Sequence, residues 1–145
     1  MVHLCTKVKQ YTLKNKQRHQ LISLGLYYKT LYVVETSSSW EDALAHCRAN
    51  HSELAMIRSS AENSEVTSLV DSLGLVFVWI GLYREPWRWS DNTSVHFTNW
   101  KSVGLEASDH LEMCVNYYGS WHDYPCSQSR PFVCSTGIHG STKTS

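Results

Sequence analysis

The side chains of this chain that could do chemistry are five cysteines, eight histidines and thirteen carboxylates. No Gly-x-Ser-x-Gly or His-Glu-x-x-His run joins a nucleophile or a metal pair to a base. His46, His110 and His122 could gather around zinc with Asp123, but their spacing follows no zinc pattern, and histidine is an ordinary surface residue. Catalysis is therefore not expected. Cys5, Cys47, Cys114, Cys126 and Cys134 contain no Cys-x-x-Cys pair, which argues against a zinc ribbon or a thioredoxin-like site. The four cysteines after residue 30 suit a two-disulfide framework, and spacing alone leaves all three pairings open. Two sequons, Asn50-His51-Ser52 and Asn92-Thr93-Ser94, are glycosylation candidates and point to the same oxidising compartment.

These residues need elements to hold them. With 145 residues and 42% hydrophobic content, the chain is long enough to bury one core. Leu26 to Val34 reads as a strand. Trp40, Ala43, Leu44 and Cys47 then fall at i, i+3, i+4 and i+7, the stripe of an amphipathic helix. Ser38 with Glu41 predicts its cap, and Ser59 with Glu62 predicts the cap of a second helix carrying Val66, Leu69, Val70 and Leu73. Gly74 ends that helix, and Leu75 to Leu82 reads as a buried strand. Trp87 to Trp89 and Phe97 to Trp100 form short aromatic elements. Residues 101–112 read as a long polar loop, and Cys114 to Tyr118, Ser120 to Tyr124 and Pro131 to Cys134 as three short strands, with Gly119 at the first turn. Two early helices followed by strands make an α+β domain.

The formal net charge is zero, which argues against a nucleic-acid binder, but it is unevenly spread. Residues 1–30 hold six basic and no acidic residues, so the remainder carries the balancing six negative charges. Residues 1–26 therefore read as a basic arm or linker that packs little against the body, and 136–145 as a polar tail. Within the arm there is neither an apolar signal-peptide core nor a small-residue cleavage site. The longest mostly apolar run, Leu73 to Leu82, is too short to span a bilayer. A body that looks extracellular without a secretory signal reads as a fragment, whose parent could be membrane-anchored.

Over residues 27–135 the sequence resembles a C-type lectin-like domain. Trp40-Glu41-Asp42-Ala43-Leu44-Ala45-His46-Cys47 is similar to the family's Trp-x-x-Ala-x-x-x-Cys opening, and Trp79-Ile80-Gly81-Leu82 to its most diagnostic tetrapeptide. Trp87-Arg88-Trp89-Ser90-Asp91, Trp100, Cys114-Val115, Trp121-His122-Asp123, Cys126 and Pro131-Phe132-Val133-Cys134 follow in the family's order. The stretch from Gly81 to Asp91 looks most like single domains of the tandem macrophage mannose receptor-like proteins. The resemblance implies disulfides Cys47–Cys134 and Cys114–Cys126, with Cys5 left over. In the chain-entropy account the shorter loop is worth about 3 kcal/mol and the longer about 3–5 kcal/mol. It also makes the tryptophans packing residues, as buried aromatics usually are.

For the site, the resemblance implies a calcium ion held by a Glu-Pro-Asn or Gln-Pro-Asp loop, a glutamate before the third cysteine, and Trp-Asn-Asp. Here the loop reads Gly104-Leu105-Glu106-Ala107-Ser108 without proline, and His122 stands where the amide would be. Glu112 and Asp123 remain as the metal ligands to expect, with Glu106 and Asp109 as helpers and His122 beside them. Calcium prefers six to eight oxygen donors and takes imidazole poorly. No cofactor is therefore required, and calcium would be held only weakly. The expected function is an extracellular or cell-surface recognition module for glycans with a degenerate calcium site. The alternative is a calcium-independent module for a cell-surface or extracellular protein.

Overall fold

The computed structural model describes residues 17–24, 27–84, 86–101, 113–136 and 139–140. Cys5, Glu106, Asp109, His110 and Glu112 lie outside these residues, as does the expected long loop from 102 onward. In chain order the elements are β1 (Gln17–Leu24), β2 (Tyr27–Ser38), α1 (Trp40–Asn50), β3 (Glu53–Leu54), α2 (Ser60–Ser72), β4 (Val78–Tyr83), β5 (Arg88–Trp89), β6 (Met113–Tyr118), β7 (Ser120–Pro125), β8 (Arg130–Ser135) and β9 (His139–Gly140). The main path of the sheet is β1-β2-β8-β4-β6-β7; β3 joins β8, β5 joins β4 and β9 joins β2. Among the described strands pairing is antiparallel except where β4 runs beside β8, with Trp79 opposite Phe132, and a further isolated parallel bridge joins Trp100 to Trp121 on β7.

Both helices form where the apolar stripes place them. In α1, Trp40, Ala43 and Cys47 are buried and Leu44 packs half-buried beside them. Its cap is one residue later than the sequence predicts: Ser39, not Ser38, accepts the amide hydrogen of Asp42. Ser38 is instead the last residue of β2, paired with Arg130. Three serines in a row leave the sequence pattern unable to choose among them. In α2 the Ser59 cap is as expected, its hydroxyl accepting from Glu62 N. The strand expected over Leu75 to Leu82 begins only at Val78. Gly74 takes φ +65°, and the amides of Gly74 and Leu75 still close the end of α2 on Asp71 and Val70.

The basic arm behaves differently from the sequence reading. Gln17–Leu24 forms an eight-residue strand against β2, with Gln17 opposite Val34 and Leu24 opposite Tyr27. The polar tail likewise contributes Gly140 and His139 opposite Tyr27 and Tyr28. Backbone pairing needs no side-chain period, so a search for an apolar stripe passes over such a strand. An unpaired β2 edge would otherwise expose a row of donors and acceptors.

The core lies on both faces of the sheet. One cluster holds Leu31, Ile57, Val66, Val70, Ile80, Leu82, Trp89, Val115 and Trp121; the other holds Trp40, Cys47, Trp79, Cys114, Phe132 and Cys134. The disulfides are Cys47–Cys134 and Cys114–Cys126, with Cα separations of 5.3 and 5.0 Å. Trp40, Trp79, Trp89 and Trp121 are buried, while Trp87 and Trp100 pack half-buried against the first cluster. The buried indoles find partners: Trp40 Nε1 donates to Ile80 O, Trp79 Nε1 to Ser38 O and Trp121 Nε1 to Asn63 Oδ1. No helix among the described residues is long and apolar enough to cross a membrane.

Candidate recognition site

The β6–β7 hairpin positions the site residues that are described. Gly119, at φ +65°, makes the turn, so that Tyr118 faces Ser120 directly and the register runs on to Val115 opposite Asp123 and Asn116 opposite His122. Alternation along β7 then sorts the side chains. Trp121 and Asp123 share the face of Val115 and Tyr117; His122 and Tyr124 share the face of Asn116. Trp121 anchors the strand, lying edge-on to Trp89, Phe97 and Trp100 at ring distances of 5.5 to 5.8 Å. β7 ends the sheet path, and its outer edge is engaged at Trp121, whose N–H donates to Asn99 O and whose carbonyl accepts from Lys101 N in a parallel bridge with Trp100.

Asp123 is half-buried beside this aromatic anchor. His122 Nε2 lies 3.2 Å from the Ser120 hydroxyl, and its ring meets Phe77 edge-on at 6.1 Å. Burial holds its pKa below the usual 6.5, and Lys101 pushes in the same direction against the opposing pull of Asp123. At neutral pH the group is thus an uncharged imidazole engaged by its own strand. As a donor set for calcium, this part of the site fits poorly: Asp123 brings carboxylate oxygens, and its neighbour brings a nitrogen. The other candidate ligands, Glu106, Asp109 and Glu112, lie outside the described residues. His46 sits elsewhere, on α1 against Phe132 and His51 rather than beside His122.

Two residues that the sequence did not single out belong to this region. Arg130, at the start of β8, holds its guanidinium 5.2 Å from the Phe77 ring and 5.4 Å from the Tyr124 ring. Its Nε is buried with no hydrogen-bond partner among the described residues. Asn116 is fully buried, and both its amide atoms are likewise unpartnered. Tyr124 is 40% exposed and Val76 is 51% exposed. A sequence signal for the arginine would have required knowing that β7 and β8 converge on Phe77.

Behind the site, polar contacts tie the elements together. Lys29 Nζ donates to Glu62 Oε2 at 3.0 Å, both side chains being almost wholly buried, and the same carboxylate oxygen accepts the Arg58 amide. Burial lowers the pKa of Lys29, opposed by the attraction of Glu62. Arg48 reaches Glu53 and the Ser90 carbonyl, while the Ser90 hydroxyl donates to Glu53. Arg58 also donates to Asp91 and Thr93, which stiffens the turn that carries Asn92.

Residues 36–136 match the family model described as the lectin C-type domain. The chain is 35% identical over 127 residues to snaclec bitiscetin subunit alpha of Bitis arietans, covering 79% of this chain and 89% of that one. It is 33% identical over 104 residues to human C-type mannose receptor 2, covering 66% of this chain. The chain spans only 7% of that receptor's length, and 41% of the length of collectin-10 from Xenopus tropicalis. Among solved structures, human lithostathine superposes with a TM-score of 0.69 at 29% identity, covering 80% of this chain and 87% of that one.

Proposed function

This chain belongs to the C-type lectin domain family, and from that premise we propose that it is an extracellular recognition module for glycans in which calcium plays at most a weak part. The supporting observation is the half-buried carboxylate of Asp123, on the β7 face that also carries Trp121. There Asp123 offers carboxylate oxygens to sugar hydroxyls, on the same face as Trp121, whose ring meets the half-buried ring of Trp100. An apolar ring face beside a few placed polar groups suits the alternating C–H and O–H surface of a sugar. Glu112 and Asp123 are the metal ligands of this reading, with Glu106 and Asp109 as helpers. His122 removes an oxygen donor from the shell, so calcium affinity falls at or above the millimolar end for extracellular modules, about 10⁻³ M.

Resin chromatography tests the calcium part. The native chain passes mannose and galactose resins at ordinary calcium levels, with absent or faint retention. The combined replacement Leu105→Glu, Glu106→Pro, Ala107→Asn and His122→Asn rebuilds the family's donor set and creates mannose retention that a chelator abolishes. Strong chelator-sensitive retention of the native chain contradicts the reading. A second reading, a protein ligand, is favoured by one observation: the half-buried guanidinium of Arg130 lies over the rings of half-buried Phe77 and exposed Tyr124, residue types that anchor protein interfaces.

A further inference from the structure

We propose that Asn50 carries an N-linked glycan whose first sugar residues lie in the groove between α1 and β2. Three observations combine. The first is the groove itself, lined on α1 by Asp42, His46 and Asn50, and on β2 by Val34, Thr36 and Ser38. The α1 residues recur every fourth position and so form one polar stripe; the β2 residues alternate and so share one face. Val34 and Phe132 give the groove an apolar floor, while Thr36, Ser38, Asp42 and His46 give it a rim of donors and acceptors. An apolar floor with a hydroxyl and carboxylate rim is a bed for a sugar ring.

The second observation is where the sequon sits. Asn50 is the exposed last residue of α1 and itself lines the groove. Its Nδ2 donates to the His46 carbonyl at 3.0 Å. An amide nitrogen has two hydrogens. Glycosylation spends one: Nδ2 bonds to the anomeric carbon of a lipid-diphosphate-linked oligosaccharide, the bond from that carbon to the phosphate oxygen breaks, the lipid diphosphate leaves, and Nδ2 gives up a proton. The remaining hydrogen keeps the His46 contact, so the linkage starts at the lip of the groove with its amide held along α1.

The third observation is the order of folding. The sequon is closed by contacts with the late strand β8: Cys47 bonds Cys134, 87 residues further on, Ser52 N donates to Ser135 O, and Leu54 pairs with Cys134. At about 5–20 residues per second, that stretch of synthesis leaves the sequon open for about 4–17 s. Asn92 differs. It sits in a turn at φ 71°, with its amide bonded to Trp89 O and its Oδ1 accepting from Arg88, and the distant partners of this turn, Arg58 and Gly81, precede it in the chain, so it can close as soon as it is made.

The inference rests on the extracellular compartment of the proposed function and not on its ligand. The test is the full chain, given a secretion signal and expressed in a eukaryotic host. Intact mass should show an increment that peptide N-glycosidase removes, that Asn50→Gln and Ser52→Ala each lose, and that Asn92→Gln keeps. Ser52→Ala leaves Asn50 in place, which separates loss of the acceptor from loss of the fold. After trimming to a single N-acetylglucosamine, the acetyl methyl should give nuclear Overhauser contacts to Thr36 or His46. An unmodified Asn50, or a modified one without those contacts, overturns the proposal. A blank glycan array would leave these masses unchanged, so the two readings fail separately.

Discussion

An alanine at Gly81 would set its Cβ 3.0 Å from the Leu54 carbonyl oxygen, 3.0 Å from Ser90 Oγ and 3.2 Å from Leu54 Cβ. The backbone there is held on both sides, Gly81 N donating to Ala55 O and Gly81 O accepting from Ser90 N, so the neighbours have little room to give. Gly81→Ala is expected to cost about 1–3 kcal/mol, read as a fall in urea midpoint without change in slope. A second test at this scale concerns Lys29 and Glu62. Removing either charge alone strands the other in the core, and Glu62→Ala also orphans the Arg58 amide. Each single change should cost about 3–5 kcal/mol, while Lys29→Met with Glu62→Met should cost less than the two single losses added together. Strict additivity would mean the pair is not coupled. The histidines give the pH dependence. His51, stacked on Tyr32, and His122 have folded-state pKa values below 6.5, burial being the larger cause in each. The unfolded chain therefore binds their protons first. Stability is fully present above pH 6.5 and falls as the pH drops from there towards the lowered folded values. Melting curves across that window should steepen in the native chain and flatten in His51→Phe.

Element by element, what the sequence discloses depends on the force that makes the element. The stripes of α1 and α2 are visible because burial selects every third or fourth residue, and Val66, Leu69 and Val70 are buried as their spacing predicts. β1 has no such pattern, because main-chain pairing with β2 makes it. The cap of α1 falls between the two cases: a serine is required, and only the register of β2 on β8 decides that Ser38 belongs to the strand and Ser39 to the helix. Ser39→Ala should therefore cost about 1 kcal/mol and Ser38→Ala much less, measured by chemical denaturation. Deleting residues 1–24 strips β1 from its edge and should lower the melting temperature by several degrees. A shift of a degree or less would show that the strand contributes nothing to the body.

At the scale of the whole molecule, the ordered tryptophans and cysteines of the sequence disclose the family and the disulfide pairing, because those residues are spent on one shared core. The site is less legible. Asp123 and His122 are named by their place in a motif, yet Arg130 and Asn116 join them only through the convergence of β6, β7 and β8 around Phe77. Recognition surfaces gather residues from distant strands, and no local period marks them. At this scale the proposal is glycan recognition in which calcium is at most a weak participant. A glycan array probed with the full chain, once with calcium and once with chelator, tests it most directly. A defined set of bound glycans is expected, with signals that survive the chelator. Signals that vanish with the chelator, or an array blank under both conditions, would contradict it.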